Sequence, residues 1–136
     1  MLLKKKLVTI AVTVALCISG VVGVVGAANT TDKEWSFYHQ NSTGYTGGRT
    51  KDDNTNVYVF PKLGQTLKYT VQVYGTNGYE DARSSAVDIN IGTKATLRSD
   101  ASADDDTRVK MINEHINYGY TSGVWSPDSL DYHTVY

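Results

Sequence analysis

The segment 66-TLKYTVQVY-74 alternates between apolar and polar residues along its whole length. In an extended chain a period of two residues places successive side chains on opposite faces of the strand. One face would carry Leu67, Tyr69, Val71 and Val73, and the other Lys68, Thr70, Gln72 and Tyr74. The segment is therefore predicted to be a β-strand with one face in a core. The following Gly75-Thr76-Asn77-Gly78 is predicted to be a turn.

Shorter segments on both sides repeat this pattern. Strands are predicted at residues 34–39 and 56–60, and Pro61 is expected to end the second because it cannot donate a ladder hydrogen bond. Residues 85–91 and 94–99 are predicted to form a hairpin. Residues 107–118 fit either a helix or a strand, and the β neighbours favour a strand. Six or seven short strands predict an all-β fold, a small antiparallel β-sandwich or barrel.

The N-terminus has the three parts of a secretory signal peptide. Lys4, Lys5 and Lys6 are followed by the uncharged segment Leu7–Val25 and then by the small residues Gly26, Ala27 and Ala28. Residues 1–28 are predicted to be the signal, with cleavage after Ala28 or alternatively after Ala27. Residues 29–136 are then a single secreted domain, found outside the cell or on its wall, and the membrane matters only during export.

Two other interpretations of the N-terminus exist. An uncleaved membrane anchor is possible because Leu7–Val25 has 19 residues, close to the roughly 20 that span a bilayer. A lipoprotein would use Cys17, but the bulky Leu16 stands where such signals have a small residue. The Ala-Ala exit favours the cleaved signal over both.

Composition limits the function of the mature domain. Without the leader it has 10 lysines and arginines against 14 acidic residues, a formal charge of −4. That balance argues against nucleic acid and against attraction to anionic lipid. The only cysteine leaves with the leader, so the domain is predicted to fold by core burial without disulfides. This habit indicates a Gram-positive source.

No motif for catalysis or metal binding stands out. There is no nucleophile elbow, and the three mature glutamates Glu34, Glu80 and Glu114 have no pairing signal, so the chain is predicted not to be an enzyme and to need no cofactor. Asp100, Asp104 and Asp106, with Asp105, are a weak calcium candidate that lacks the spacing of a calcium loop. The histidines His39, His115 and His133 lack ligand spacing.

The aromatic residues are the more informative set. Trp35 and Trp125 lie in phase with apolar residues and are predicted to be structural, in the core, while Pro127 is predicted to fix a turn. Tyr58, Tyr74 and Tyr118 lie opposite the apolar phase. These three tyrosines are therefore the predicted surface residues for binding.

The closing segment Ser122-Gly123-Val124-Trp125-Ser126-Pro127-Asp128-Ser129 resembles the end of DUF2712 proteins, a family of small secreted proteins from Bacillus and its relatives. The aromatic strand, Val57-Tyr58-Val59 and the strand ending at Gly75 match its layout. The plan is also similar to that of lactococcin 972-type bacteriocins, which are secreted, cysteine-free β-sandwiches that act on the cell envelope.

Three functions follow as hypotheses. The first is a secreted binding protein for an envelope component or a protein, acting as a bacteriocin-like effector. The second is a structural or wall-associated extracellular protein that does not kill. A secreted enzyme is the third and the least favoured, because the motifs of an active site are missing.

Overall fold

The structure, a computed structural model, describes residues 29–82, 85–115, 119–130 and 133–136. The predicted signal peptide and Tyr118 lie outside these residues. The described residues form β-strands and no helix, so the prediction of an all-β fold is confirmed. Nothing in these ranges is a helix of the length and apolar character needed to cross a membrane.

Eleven strands are present in the described residues, more than the six or seven predicted. They are β1 (Lys33–Tyr38), β2 (Thr43–Tyr45), β3 (Arg49–Thr50), β4 (Val57–Leu63), β5 (Leu67–Gly75), β6 (Gly78–Asp81), β7 (Val87–Ile89), β8 (Ala95–Leu97), β9 (Asp106–Ile112), β10 (Tyr120–Ser126) and β11 (Thr134–Val135). Five of them have only two or three residues. Such short pieces have no measurable period in the sequence.

The strands form two sheets that pack face to face as a small sandwich. The five-stranded sheet has the order β1-β10-β4-β8-β11. The six-stranded sheet contains β2-β9-β5-β6, with β3 also beside β9 and β7 also beside β5. Only the pair of β11 with β8 is parallel among the described strands.

The alternating segment at 66–74 becomes β5, the strand that organises the six-stranded sheet. It pairs with β9 on one side and with β6 and β7 on the other. Its apolar face meets the five-stranded sheet, where the ring of Tyr69 lies edge-on to Trp35 with centroids 5.9 Å apart. Trp35 and Trp125 are both buried in this core, as their phase predicts.

One predicted hairpin and one predicted strand end differ from the structure. The expected hairpin of 85–91 with 94–99 is wrong, because β7 pairs with β5 in one sheet while β8 pairs with β4 in the other. Pro61 does not end its strand either, since β4 continues to Leu63. Pro61 fits inside β4 because the pairing of β8 with β4 stops at Val59, so no β8 carbonyl lies opposite the proline nitrogen. The Pro61 carbonyl accepts the N–H of Gly92 instead.

Two other predictions about elements hold. The ambiguous segment 107–118 is a strand from its start to Ile112, which confirms the favoured alternative for that part. The turn after β5 is a two-residue connection in which Gly75 faces Gly78 across the hairpin. Gly78 has a φ of 99°, a value that glycine tolerates without the strain of a side chain.

Gly123 provides a test of this packing. A Cβ atom at this position would overlap the carbonyl oxygen of Phe60 and lie 2.9 Å from both Pro61 Cα and Trp35 Cζ2. We expect Gly123→Ala to lower the free energy of unfolding by about 1–3 kcal/mol, the usual cost of overpacking. Urea denaturation measures it. Gly47→Ala is the matched control, because nothing lies within 4 Å of its added Cβ; equal losses in the two variants would contradict the assignment.

Candidate functional site

The segment after β10 contains a buried charged residue, Asp128. Asp128 and Lys51 both have fully buried side chains, and Lys51 Nζ lies 3.0 Å from Asp128 Oδ1. The same ammonium donates to the carbonyl oxygens of Thr55, at 2.7 Å, and Pro127. Its three protons therefore have three oxygen acceptors, which is what a buried ammonium requires.

The second oxygen of the Asp128 carboxylate is also occupied. Oδ2 accepts the backbone N–H of Asp52 at 2.8 Å and that of Asn29 at 2.7 Å. Burial alone would raise the pKa of Asp128, but the N–H of Asp52, the Lys51 ammonium and the N–H of Asn29 outweigh it and hold the pKa below its ordinary value. Asn29, Lys51, Asp52 and Asp128 are called the charge cluster below.

Local hydrogen bonds explain why the two loops adopt these conformations. Asp53 Oδ1 accepts both the N–H and the hydroxyl of Thr55, so the turn after Lys51 is closed by a side chain. The Ser126 hydroxyl donates to the Asp128 carbonyl at 2.8 Å, and the Ser129 N–H donates to the Thr55 hydroxyl at 3.0 Å. Pro127 is buried at the bend between them. The two loops are thus bonded to each other.

A different arrangement occupies the outer face of the six-stranded sheet. The guanidinium of Arg108 lies between two rings, with Cζ 3.8 Å from the Tyr45 centroid and 4.0 Å from the Tyr79 centroid. The ring of Tyr74 meets Tyr79 edge-on at 5.1 Å. These four residues, Tyr45, Arg108, Tyr79 and Tyr74, are called the tyrosine row. Cation–π contacts of this kind hold the arginine and both rings in place.

Hydrogen bonds to neighbouring side chains hold two members of the tyrosine row, Arg108 and Tyr79. Arg108 Nε donates to Gln72 Oε1 at 2.8 Å, and the Tyr79 hydroxyl donates to Asp106 Oδ2 at 2.9 Å. Burial and this bond to Asp106 raise the pKa of Tyr79, so its phenol stays protonated as a donor. Gly48 leaves space for that phenol, since a Cβ there would overlap the Tyr79 hydroxyl.

The tyrosine row exposes aromatic rings to solvent on a sheet face whose lysines form ion pairs. Tyr45 is 47% exposed and Tyr74 is 60% exposed. On the same sheet Lys110 pairs with Asp81 at 3.5 Å, and Lys68 pairs with Glu114 at 2.9 Å. The face is therefore aromatic and rich in hydrogen-bonding groups, while most of its charge is balanced locally.

A family model described as a protein of unknown function, DUF2712, matches residues 23–129. The chain belongs to the DUF2712 family. The matched region includes the charge cluster and the tyrosine row of this DUF2712 chain. It ends at Ser129, before strand β11, which pairs with β8. No curated protein and no solved structure matches the chain.

Two of the three tyrosines predicted to bind can be placed in the DUF2712 domain. Tyr74 is exposed and belongs to the tyrosine row. Tyr58 was predicted to be exposed, and that is wrong: it is 8% exposed, and its ring packs against His133 with centroids 5.0 Å apart. It lies in a groove of about 420 Å³. Alternation places it on the outer face of β4, but the C-terminal segment covers that face.

Hydrogen bonds place the three aspartates of the calcium candidate, and the backbone N–H of Asp100 donates to the Ala82 carbonyl at 3.0 Å. Asp104 adopts a φ of 72° in a turn and its N–H donates to the Lys51 carbonyl, while Asp106 accepts from Tyr79. Among the described residues no three histidine, cysteine, aspartate or glutamate side chains are grouped to hold a metal ion. His39 is buried, with Nε2 2.7 Å from the Thr121 hydroxyl.

Sequence reasoning missed most of these residues. Tyr79 could have been found, because a two-residue turn that pairs Gly75 with Gly78 also pairs Tyr74 with Tyr79. Tyr45 and Arg108 carry no such signal, as they meet through a non-local strand pair. Lys51 stands in a polar loop that resembles a solvated turn, and no local pattern links it to Asp128.

The charge cluster predicts an asymmetric effect of losing a lysine. In Lys51→Met the buried Asp128 carboxylate loses its counter-ion, so we expect the free energy of unfolding to fall by about 3–5 kcal/mol. Lys110→Met removes an ion pair with a half-exposed partner and should change it by less than about 1 kcal/mol. Chemical denaturation of both variants measures the difference, and similar small effects would show that the cluster is not stabilising.

The low pKa of Asp128 predicts an acid-sensitive fold. Because the folded pKa lies below the unfolded value of about 3.9, the contribution of Asp128 is complete above that pH and is lost as the pH falls through the folded pKa. Carboxyl NMR should show Asp128 titrating below the exposed aspartates. Titration at or above the ordinary value would contradict the hydrogen-bonding arrangement.

Proposed function

We propose that this chain is an exported binding protein whose tyrosine row holds a saccharide chain of the bacterial cell envelope. The observation that carries the proposal is the exposed row on a rigid sheet. Its members lie on the strands β2, β5, β6 and β9 rather than on loops. A binding surface built on paired strands needs little ordering when the ligand arrives.

The chemistry of the row suits a sugar. A pyranose ring has one largely apolar face of C–H groups, which can stack on the exposed face or edge of a tyrosine, and tyrosine also brings a polar tip. Hydroxyl groups around the sugar need planar donors and acceptors nearby. The carboxylate of Asp81 and the guanidinium of Arg108 provide them beside the rings, and the buried Gln72 holds both in place through its amide.

Charge supports a saccharide over other polymers. The mature domain has a formal charge of −4 if the leader ends at Ala28, which disfavours nucleic acid and anionic lipid. On this face the lysines Lys68 and Lys110 are each paired with an acid. A ligand recognised by ring stacking and hydroxyl hydrogen bonds is therefore favoured over one held by net charge.

The biological role proposed is that of a secreted effector at the cell envelope. The predicted leader, the cysteine-free mature domain and the similarity of plan to lactococcin 972-type bacteriocins support it. A wall-associated structural protein is the alternative. Both roles use binding and involve neither a catalytic residue nor a cofactor.

Matched tyrosine variants test the binding surface. We expect Tyr74→Ala and Tyr45→Ala each to weaken binding to purified cell-wall sacculi by about tenfold, because each removes an exposed ring from the row. The control is Tyr120→Ala. Tyr120 is 61% exposed, which matches the 60% exposure of Tyr74, but it lies on β10 in the five-stranded sheet.

The readout is sedimentation of purified protein with sacculi, after circular dichroism has shown each variant to be folded. Loss of binding in Tyr120→Ala, or unchanged binding in both row variants, would contradict the proposed surface. A growth-inhibition assay with the mature domain separates the two roles. An effector gives a clear zone on a sensitive lawn, whereas retention in the wall fraction without a zone would favour the structural role.

A further inference from the structure

The backbone nitrogen of Asn29 lies inside the charge cluster. It is 2.7 Å from Asp128 Oδ2, the oxygen that is not paired with Lys51. The side chain of the same residue is held at both ends: Arg49 Nη2 donates to Asn29 Oδ1 at 2.6 Å, and Asn29 Nδ2 donates to the Thr50 carbonyl at 2.9 Å. Three hydrogen bonds therefore position one residue near the beginning of the domain.

The sequence places a predicted cleavage at the same residue. The small residues Gly26, Ala27 and Ala28 end the uncharged segment, and the peptide bond after Ala28 is the expected site of leader removal. The nitrogen that such a cleavage would release as a free amine is the nitrogen that contacts Asp128. This coincidence of a predicted cleavage and a buried carboxylate motivates the inference.

We propose that cleavage between Ala28 and Asn29 converts the amide nitrogen of Asn29 into an α-ammonium group that forms an ion pair with Asp128 and so completes the charge cluster. The inference rests on the export that is part of the proposed function. It assigns to Asp128 a second cationic partner besides Lys51, and to Asn29 the role of a docked N-terminus.

The reaction balances as an ordinary peptide hydrolysis. Water adds across the Ala28–Asn29 bond under a leader peptidase; the new carboxylate leaves with Ala28, and the amine stays on Asn29 and takes up a proton at neutral pH. A neutral N–H donor to the Asp128 carboxylate thus becomes a cationic donor, which adds the attraction between opposite charges to the existing hydrogen bond. The adjacent charged side chain is Arg49, on which Asp128, Asp32 and Asp52 all act electrostatically.

Leader removal would then strengthen the fold. The precursor would have only a hydrogen bond from a neutral N–H of Asn29 to the Asp128 carboxylate, while the mature chain would have the ion pair. A precursor that is less stable than its product suits transport, because an exported chain has to remain unfolded until it has crossed the membrane. Folding would be completed by the same event that frees the domain.

The experiment compares defined N-termini. The full chain is first expressed with its own leader, and the exported product is analysed by intact mass, which should correspond to a start at Asn29. Two chains are then prepared with removable N-terminal fusions, one beginning at Asn29 and one retaining Ala28. We expect the chain that begins at Asn29 to have a folding equilibrium constant about tenfold larger at pH 7, because only it places a second cation, besides Lys51, against Asp128.

The pH dependence of the stability difference distinguishes the ion pair of the Asn29 α-amine with Asp128 from other contacts. An α-amine paired with a carboxylate has a raised pKa, so the advantage of the Asn29 chain should be full below about pH 8 and should disappear as the pH rises through the folded pKa. The α-amine of the folded Asn29 chain should also resist acetylation relative to the unfolded chain. In Asp128→Asn the difference between the two N-termini should vanish, and if that variant does not fold, the acetylation result decides.

Several results would overturn the proposal. They are an exported product that starts elsewhere, equal stability of the two chains, or a freely reactive α-amine in the folded Asn29 chain. These measurements are made without a saccharide ligand, and they do not involve the tyrosine row, which lies on the outer face of the six-stranded sheet. A failure of saccharide binding would therefore leave this result unchanged, and the reverse also holds.

Discussion

The buried ion pair between Lys51 and Asp128 is the interaction on which the arrangement of the two sheets depends most. Lys51 follows β3 in the six-stranded sheet, and Asp128 follows β10 in the five-stranded sheet, so the pair joins the sheets at one end. Removing two charges from water is costly, and the cost is offset here because each polar atom of the pair has partners. Such a contact tolerates little displacement of either loop, and it thereby fixes how the sheets are oriented.

The residues of the closing segment 122–129 have separate structural roles around this pair. Gly123 lets the strands approach where Trp35 enters the core, and Trp125 fills that core. The Ser126 hydroxyl holds the backbone at Asp128, Pro127 supplies a carbonyl to Lys51, and Ser129 bonds to the opposite loop. Among the described residues the segment therefore has structural contacts, and the binding surface proposed above lies elsewhere, on the six-stranded sheet.

Aromatic residues are divided between the core and the surface by the strand face on which they lie. The two tryptophans and Tyr69 fill the core, where burial raises the pKa of the Tyr69 phenol. The tyrosines of the row remain at the surface, where a ring can meet a ligand and a hydroxyl can meet water. Arg108 joins Tyr45 to Tyr79 across strands that are far apart in sequence, so the row exists only when the sheet is complete.

The amino-acid sequence by itself determined the all-β class, the strand at β5, the turn that follows it, the burial of both tryptophans and the family resemblance. These are consequences of a local period of two residues, of turn chemistry and of a short motif. Only the tertiary structure decided that β7 and β8 belong to different sheets, that Tyr58 is covered, and that Lys51 meets Asp128 beside Asn29. Alternation specifies the faces of a strand but not its neighbours, and a contact between Lys51 and Asp128, 77 positions apart, is set by how the sheets pack.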